Sequence, residues 1–123
     1  MLYLYNMSID DSDDLIFKAL GHRVRRRILD HLKVESRTTG MLCDLFPELD
    51  RCTVMQHLGV LEDCGLVIAE KRGRERWNHL DALPVHAIHE RWIGPYAAYA
   101  SSMLSKLNKV TRQGAGSATA KTR

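Results

Sequence analysis

Pro47 constrains this chain more than any other single residue. Because the residue before a proline is pushed away from helical backbone angles, the apolar stretch Met41-Leu-Cys-Asp-Leu-Phe46 must stop within a residue or two of it. Thr38 or Thr39 can cap that stretch, which makes it a short helix. A second helix begins at Asp50, a good N-cap, and runs to about Asp63, with Gly65 ending it. Val54, His57, Leu58 and Leu61 recur at i, i+3, i+4 and i+7, so one side is buried, while Arg51, Thr53, Met55 and Gln56 lie on the exposed side. Two short helices in tight succession, the second presenting polar side chains near its N-terminal end, form the arrangement that lays a recognition helix in the major groove of DNA.

The segment after Gly65 strengthens that reading. Leu66 to Leu80 holds two β-prone runs around Arg72-Gly73-Arg74, where glycine supplies the positive φ that a tight hairpin turn needs. Lys71, Arg72, Arg74 and Arg76 concentrate positive charge there, and a basic hairpin directly after a recognition helix is a wing. Upstream, Ser12 is expected to cap a first helix through Leu20. His22 to Leu32 then forms a second, with Val24, Ile28, Leu29 and Leu32 on one stripe and arginines elsewhere.

Downstream, Asp81 is expected to cap a long last helix that tolerates Pro84 in its first turn and kinks at Gly94-Pro95. Val85, Ile88, Trp92, Tyr96, Tyr99, Met103 and Leu107 recur every three or four residues, an apolar stripe too long for so small a domain to cover. A second copy of the chain is the expected cover, making the protein a homodimer. The domain organisation read from these patterns is a flexible N-terminus over residues 1–11, one DNA-binding and dimerisation domain over 12–109, and a disordered tail over 110–123. The tail is Gly, Ala, Ser, Thr and Lys, which builds no core.

Composition narrows the functional classes. With 45% hydrophobic and 27% charged residues in 123, the chain has globular composition, enough length for one core and no apolar run that could span a bilayer. Residues 1–16 hold four acids and no Lys or Arg, so the +3 of the whole chain becomes +7 on the remainder, the balance expected of a polyanion binder. Met1 to Met7 lacks a basic start and a long apolar stretch, so a cytoplasmic location is expected. Three cysteines, an odd number, read as thiols rather than a disulfide framework. No phosphate loop, HExxH, Cys-x-x-Cys or nucleophile elbow occurs, and an enzyme is not expected.

The order of parts and the local wording resemble the ArsR/SmtB family of bacterial repressors. The resemblance is carried by Ala19-Leu-Gly-His-Arg23 leading into Arg27-Ile-Leu29, Thr53-Val-Met-Gln-His-Leu58 continuing to Val60-Leu-Glu62, Gly65-Leu-Val67 and the Arg72–Trp77 wing. It implies a mostly α, dimeric winged helix-turn-helix fold with a two-stranded wing, paired through the long C-terminal helix. It also implies a sequence-specific transcriptional repressor of an inverted-repeat operator, with double-stranded DNA and a second copy as partners; no cofactor is expected from this chain's own residues. The DNA-facing set is then Arg51, Thr53, Met55, Gln56, Lys71, Arg72, Arg74 and Arg76, and the dimer set Val85, Ile88, Trp92, Tyr96, Tyr99 and Met103. Met55 stands where many relatives carry serine, and it can offer a base only apolar contact.

Rival readings attach to several of these residues. Arg23, Arg25, Arg26 and Arg27 fit a solvated helix face as well as phosphate contact. His57 reads as a hydrogen-bonded core histidine. One metal site of the resembled family uses two cysteines in the third helix, which would align with Thr39 and Met41 here, so that site is not expected. Asp81, His86, His89 and Glu90 are suitable ligand types in the last helix, but their spacing is shorter than the family pattern, and no metal is assigned. Cys52, in the first turn of the recognition helix, is the thiol a helix N-terminus could activate, though an inert thiol is its default reading, whereas Cys64 reads as a small buried hydrophobe and Cys43 stands alone. A metal- or thiol-responsive repressor of the same fold, and a winged-helix docking module without DNA binding, are the alternatives.

Overall fold

A computed structural model describes the backbone of residues 7–122 and the side chains of residues 7–113. The chain divides into two compact units, Met1–His86 and Ala87–Arg123.

The first unit opens with α1 (Ile9–Leu20), which starts four residues earlier than Ser12 would place it. Ser8 is the cap: its hydroxyl accepts from the Asp11 N–H at 3.1 Å, and Asp10 and Asp11 then sit in the first turn, where the helix dipole favours negative charge. The expected flexible segment 1–11 therefore holds the start of α1, and residues 1–6 lie outside the described residues. His22 caps α2 (Arg23–Val34) by accepting from the Val24 N–H through Nδ1. A two-residue strand β1 (Arg37–Thr38) leads into α3 (Thr39–Leu45), with Thr38 as its cap, and Asp50 caps α4 (Arg51–Asp63).

α4 ends on Gly65 at φ 81°, with the Leu66 N–H bonded to Leu61 O and the Gly65 N–H to Glu62 O. That is the paired 6→1 and 5→2 closure that needs a left-handed residue after the helix. β2 (Val67–Arg72) and β3 (Glu75–Leu80) form the hairpin, in which Arg72 faces Glu75 and Val67 faces Leu80. Gly73 takes φ 60° and, among the described residues, no non-glycine residue has positive φ, the pattern of a II′ turn with glycine first.

The core of this unit lies between its helices and the sheet, with α1 packed on α2 and α4 and the other three helices reaching the strands. Ile16, Ile28, Leu32, Leu42, Phe46, Val54, Leu58, Leu61, Leu66 and Val67 are all buried. Each such side chain contributes roughly 1.5–3 kcal/mol on burial. β1 pairs antiparallel with β3, so the sheet has three strands in the order β1-β3-β2 rather than the two expected. Asn78 holds the third strand: fully buried, it donates through Nδ2 to Arg37 O and to Thr39 Oγ1, both at 3.2 Å. β1 is too short to carry an alternation signal, so nothing in the sequence marks it.

After Leu80, Asp81 accepts from the Leu83 N–H at 3.0 Å and opens α5 (Leu83–Ile88), with Pro84 in its first turn. A π-helical turn, His89–Ile93, passes into α6 (Gly94–Thr122). The wide turn falls where a kink was expected, and its cause is local. The Gly94 N–H bonds to His89 O, five residues back, and Pro95 has no N–H to continue the α-helical ladder. A Cβ on Gly94 would lie 2.8 Å from His89 O and 3.2 Å from the His89 ring. Gly94→Ala is therefore expected to destabilise by about 1–3 kcal/mol in chemical denaturation, whereas in an ordinary helix the same change stabilises. α6 continues helical past Lys109, into the stretch whose composition suggested a disordered tail. Residues 110–113 are exposed there and add nothing to a core. Among the described residues no helix is long and apolar enough to cross a membrane.

Candidate nucleic-acid interface

The recognition surface starts from the cap of α4. Asp50 Oδ1 accepts from the Thr53 N–H at 2.7 Å, and that hydrogen bond holds the carboxyl below its usual range, so the cap stays ionised and the first turn stays formed. With Val54, Leu58 and Leu61 buried and a rotation of about 100° per residue, the outward centre of the helix falls on Cys52, Gln56 and Gly59. Arg51 and Gln56 are exposed, while Thr53 and Met55 are half-buried on opposite shoulders. Of the four side chains expected to face DNA, Gln56 points outward most directly. Cys52 and Gly59 belong to the same surface, beyond the expected set. A Cβ on Gly59 would meet nothing, so this face is open to close approach.

The hairpin basics divide into two pairs. Arg72 is ion-paired to Glu70 and lies 5.3 Å over the Trp77 ring; Arg76 is ion-paired to Glu62 of α4 at 2.5 Å. Lys71 and Arg74 are exposed, without an ion pair among the described residues. The Arg72 pair is reflected in both partners: the guanidinium holds the Glu70 carboxyl below its usual range, and Glu70 raises Arg72. On the same face of the sheet, the Ser36 hydroxyl meets His79 Nδ1 at 2.7 Å. That contact ties the hairpin base to the residue before β1, while Glu70 stands 3.2 Å from His79 Nε2 without hydrogen-bond alignment. Between α4 and the hairpin lies an open cleft of about 400 Å³ lined by Glu62, Ala69, Lys71, Arg74, Glu75 and Arg76.

The arginines of α2 serve mainly the fold. Arg25 donates to Lys18 O and Ala19 O, Arg26 donates to Leu20 O, and both so satisfy the orphan carbonyls at the end of α1. Arg23 and Arg27 remain exposed. Arg25 also meets His57 Nδ1 at 3.2 Å, which gives His57 the structural role expected of it and pins the recognition helix to the α1–α2 corner. Burial, then the neighbouring His22 and Arg25, push the His57 imidazole below its ordinary value of 6.5.

That shift has a pH consequence. Above pH 6.5 the ring is neutral folded and unfolded, and nothing is lost. As pH falls through that value towards the lower folded one, the unfolded chain takes up a proton that the folded chain resists, so stability declines. The denaturation midpoint is therefore expected to fall between pH 7.5 and pH 5.5, and less so in His57→Gln. An equal fall in both proteins would remove His57 as the cause.

In the second unit, Trp92, Tyr96, Tyr99, Met103, Leu104 and Leu107 are all more than 40% exposed, so the apolar stripe takes in Leu104 beside the residues expected from the spacing. Trp92 and Tyr96, one turn apart, have ring centroids 4.6 Å apart, and Pro95, Tyr96 and Tyr99 line an apolar hollow of about 300 Å³. Ile88, which the spacing places in the same stripe, is fully buried, unlike the residues that follow it, and Val85 is half-buried. Among the described residues no three His, Cys, Asp or Glu side chains converge as metal ligands. Cys64 is buried, its thiol pushed up chiefly by that burial; Cys43 is half-buried and Cys52 exposed.

Known proteins share this arrangement. A helix-turn-helix domain family matches residues 20–68. An uncharacterised HTH-type transcriptional regulator of Bacillus subtilis, YuzN, is 34% identical over 91 residues, covering 69% of this chain and 99% of the relative. A crystal structure of an ArsR family transcriptional regulator superposes with a TM-score of 0.67 at 27% identity, over 77% of this chain and 96% of the other. An ArsR-like regulator from Rhodococcus sp. RHA1 gives 0.65 at 23% identity, over 87% and 98%, a likeness of fold.

Proposed function

The chain belongs to the ArsR/SmtB-like winged helix-turn-helix transcriptional regulators, a non-enzymatic, DNA-binding class, and from that we propose that it acts as a homodimeric repressor of an inverted-repeat operator. The observation that carries the proposal is the coincidence of two surfaces on one chain. One is an outward recognition helix flanked by a basic hairpin; the other is an exposed aromatic stripe on α6.

In this reading Gln56 and Arg51 reach base edges and phosphates, Met55 offers apolar contact and Thr53 flanks the first turn. Lys71 and Arg74 meet the backbone or minor groove from the hairpin tip, with Arg72 and Arg76 beside them. Trp92, Tyr96, Tyr99 and Met103, with Val85 at the edge, pair two copies so that two α4 helices enter successive major grooves about 34–36 Å apart. Occupancy of a promoter, its own included, excludes polymerase, and the work is done in the cytoplasm where the chromosome lies.

Footprinting tests this directly. Protection of two related half-sites about one helical turn apart, on one face of the duplex, is expected on the DNA upstream of the gene. A single protected half-site at saturating protein would contradict the dimeric reading.

A further inference from the structure

We propose that the cleft between α4 and the hairpin is a seat for a DNA backbone phosphate, and that Glu62 fills it in the free protein and gives up Arg76 when DNA arrives. The inference rests on the DNA-binding reading and adds to it the residue that sets how readily the hairpin engages.

Three observations carry it. Lys71, Arg74 and Arg76 line the cleft against Glu62 and Glu75, so the site keeps one net positive charge even with both carboxylates present. Arg76 is incompletely satisfied: one terminal nitrogen meets Glu62, while its Nε is buried with no hydrogen-bond partner. A guanidinium is a fork built for two oxygens of one carboxylate or phosphate, and here a single prong is used. Finally, Glu62 lies in the last turn of α4, where the helix dipole disfavours negative charge, so helix stability does not account for an acid there.

The exchange is cheap on the protein side. Arg76 and Glu62 are 28% and 41% exposed, and an ion pair so open to water is worth little. A phosphate offers Arg76 more acceptor oxygens than the contact it replaces, and it can meet Lys71 and Arg74 in the same cleft. Glu62 thus acts as an internal competitor. It keeps the hairpin arginine docked on the recognition helix, in register with it, and lowers affinity for any duplex by the work of its own displacement.

The test is fluorescence anisotropy with the upstream fragment and a scrambled duplex over a salt series, using wild type, Glu62→Gln, Arg76→Gln, the double variant and Glu62→Asp. Glu62→Gln is expected to bind both duplexes about fivefold more tightly, with the salt slope steeper by about one. Glu62→Asp, which keeps the charge but shortens the reach, should gain in the same direction. In the Arg76→Gln background the Glu62→Gln gain should vanish.

An equal gain in both backgrounds would reduce Glu62 to simple repulsion of DNA and overturn the exchange. Weaker binding by Glu62→Gln and Glu62→Asp at unchanged melting temperature would make the pair a strut, with the same result. Failure of the wild type to bind either duplex would bring down the DNA-binding reading itself, an outcome distinct from normal wild-type binding without a Glu62 effect.

Discussion

Tyr99→Asp is expected to yield a folded monomer whose affinity for the two-half-site fragment falls by about a hundred- to ten-thousandfold. The reasoning begins with exposure: Tyr99 is 67% exposed and shares an apolar hollow with Pro95 and Tyr96, so in a single chain the substitution removes little packing. In a dimer the same position is covered, and a carboxylate there must lose its water without a partner. Dissociation then removes the second recognition helix. The loss is that of bivalency, because the second half-site is no longer captured at the high local concentration set by the first. Ser101, exposed on the far side of α6, provides the control, and Ser101→Asp should leave both mass and affinity unchanged. Light scattering and anisotropy read the two effects. A Tyr99→Asp protein that remains dimeric and binds normally would show that the stripe has another purpose.

The second large effect is expected from Lys71→Gln with Arg74→Gln. Neither residue has an ion pair among the described residues, and both sit at or beside the hairpin turn, so their removal disturbs no packing. Each is assigned a phosphate. Together they should cost about ten- to a hundredfold in affinity, equally on native and scrambled duplex, and flatten the salt slope by about two. Gln56→Ala should behave in the opposite sense, lowering the preference for the native fragment while sparing binding to scrambled DNA. Interchange of those two patterns would reverse the roles given to helix and hairpin.

The parts most legible in the sequence were those written in a strong local code. Pro47, Asp50 and Gly65 punctuate α3 and α4 because each acts on its own backbone: a blocked helix, a capped one and a left-handed stop. The hairpin was legible from Gly73 and its β-prone flanks for the same reason. Other features depended on partners far along the chain and left no local trace. Asn78 reads as an ordinary polar strand residue until Arg37 and Thr39 are brought to it across about forty residues.

The same limit applied to charge. Arginines could be counted on α2 and on the hairpin, but spacing does not reveal that Arg25 and Arg26 are spent on the carbonyls of α1, or that Arg76 finds Glu62. Ile88 fits the periodicity of the exposed stripe and is nevertheless buried, because period identifies a face without saying what already covers it. Ser8 displaced Ser12 as the first cap for a comparable reason. Two serines with acids after them offer nearly equal caps, and the longer helix adds further backbone hydrogen bonds.

The central claim, that this chain recognises a particular DNA sequence, is tested most directly by anisotropy of the purified protein with the duplex upstream of its own gene and with a scrambled duplex of equal length, across a salt series. A preference of about a thousandfold or more for the native fragment, with affinity falling steeply as salt rises, is the predicted result. Equal affinity for the two duplexes at every salt concentration would contradict it.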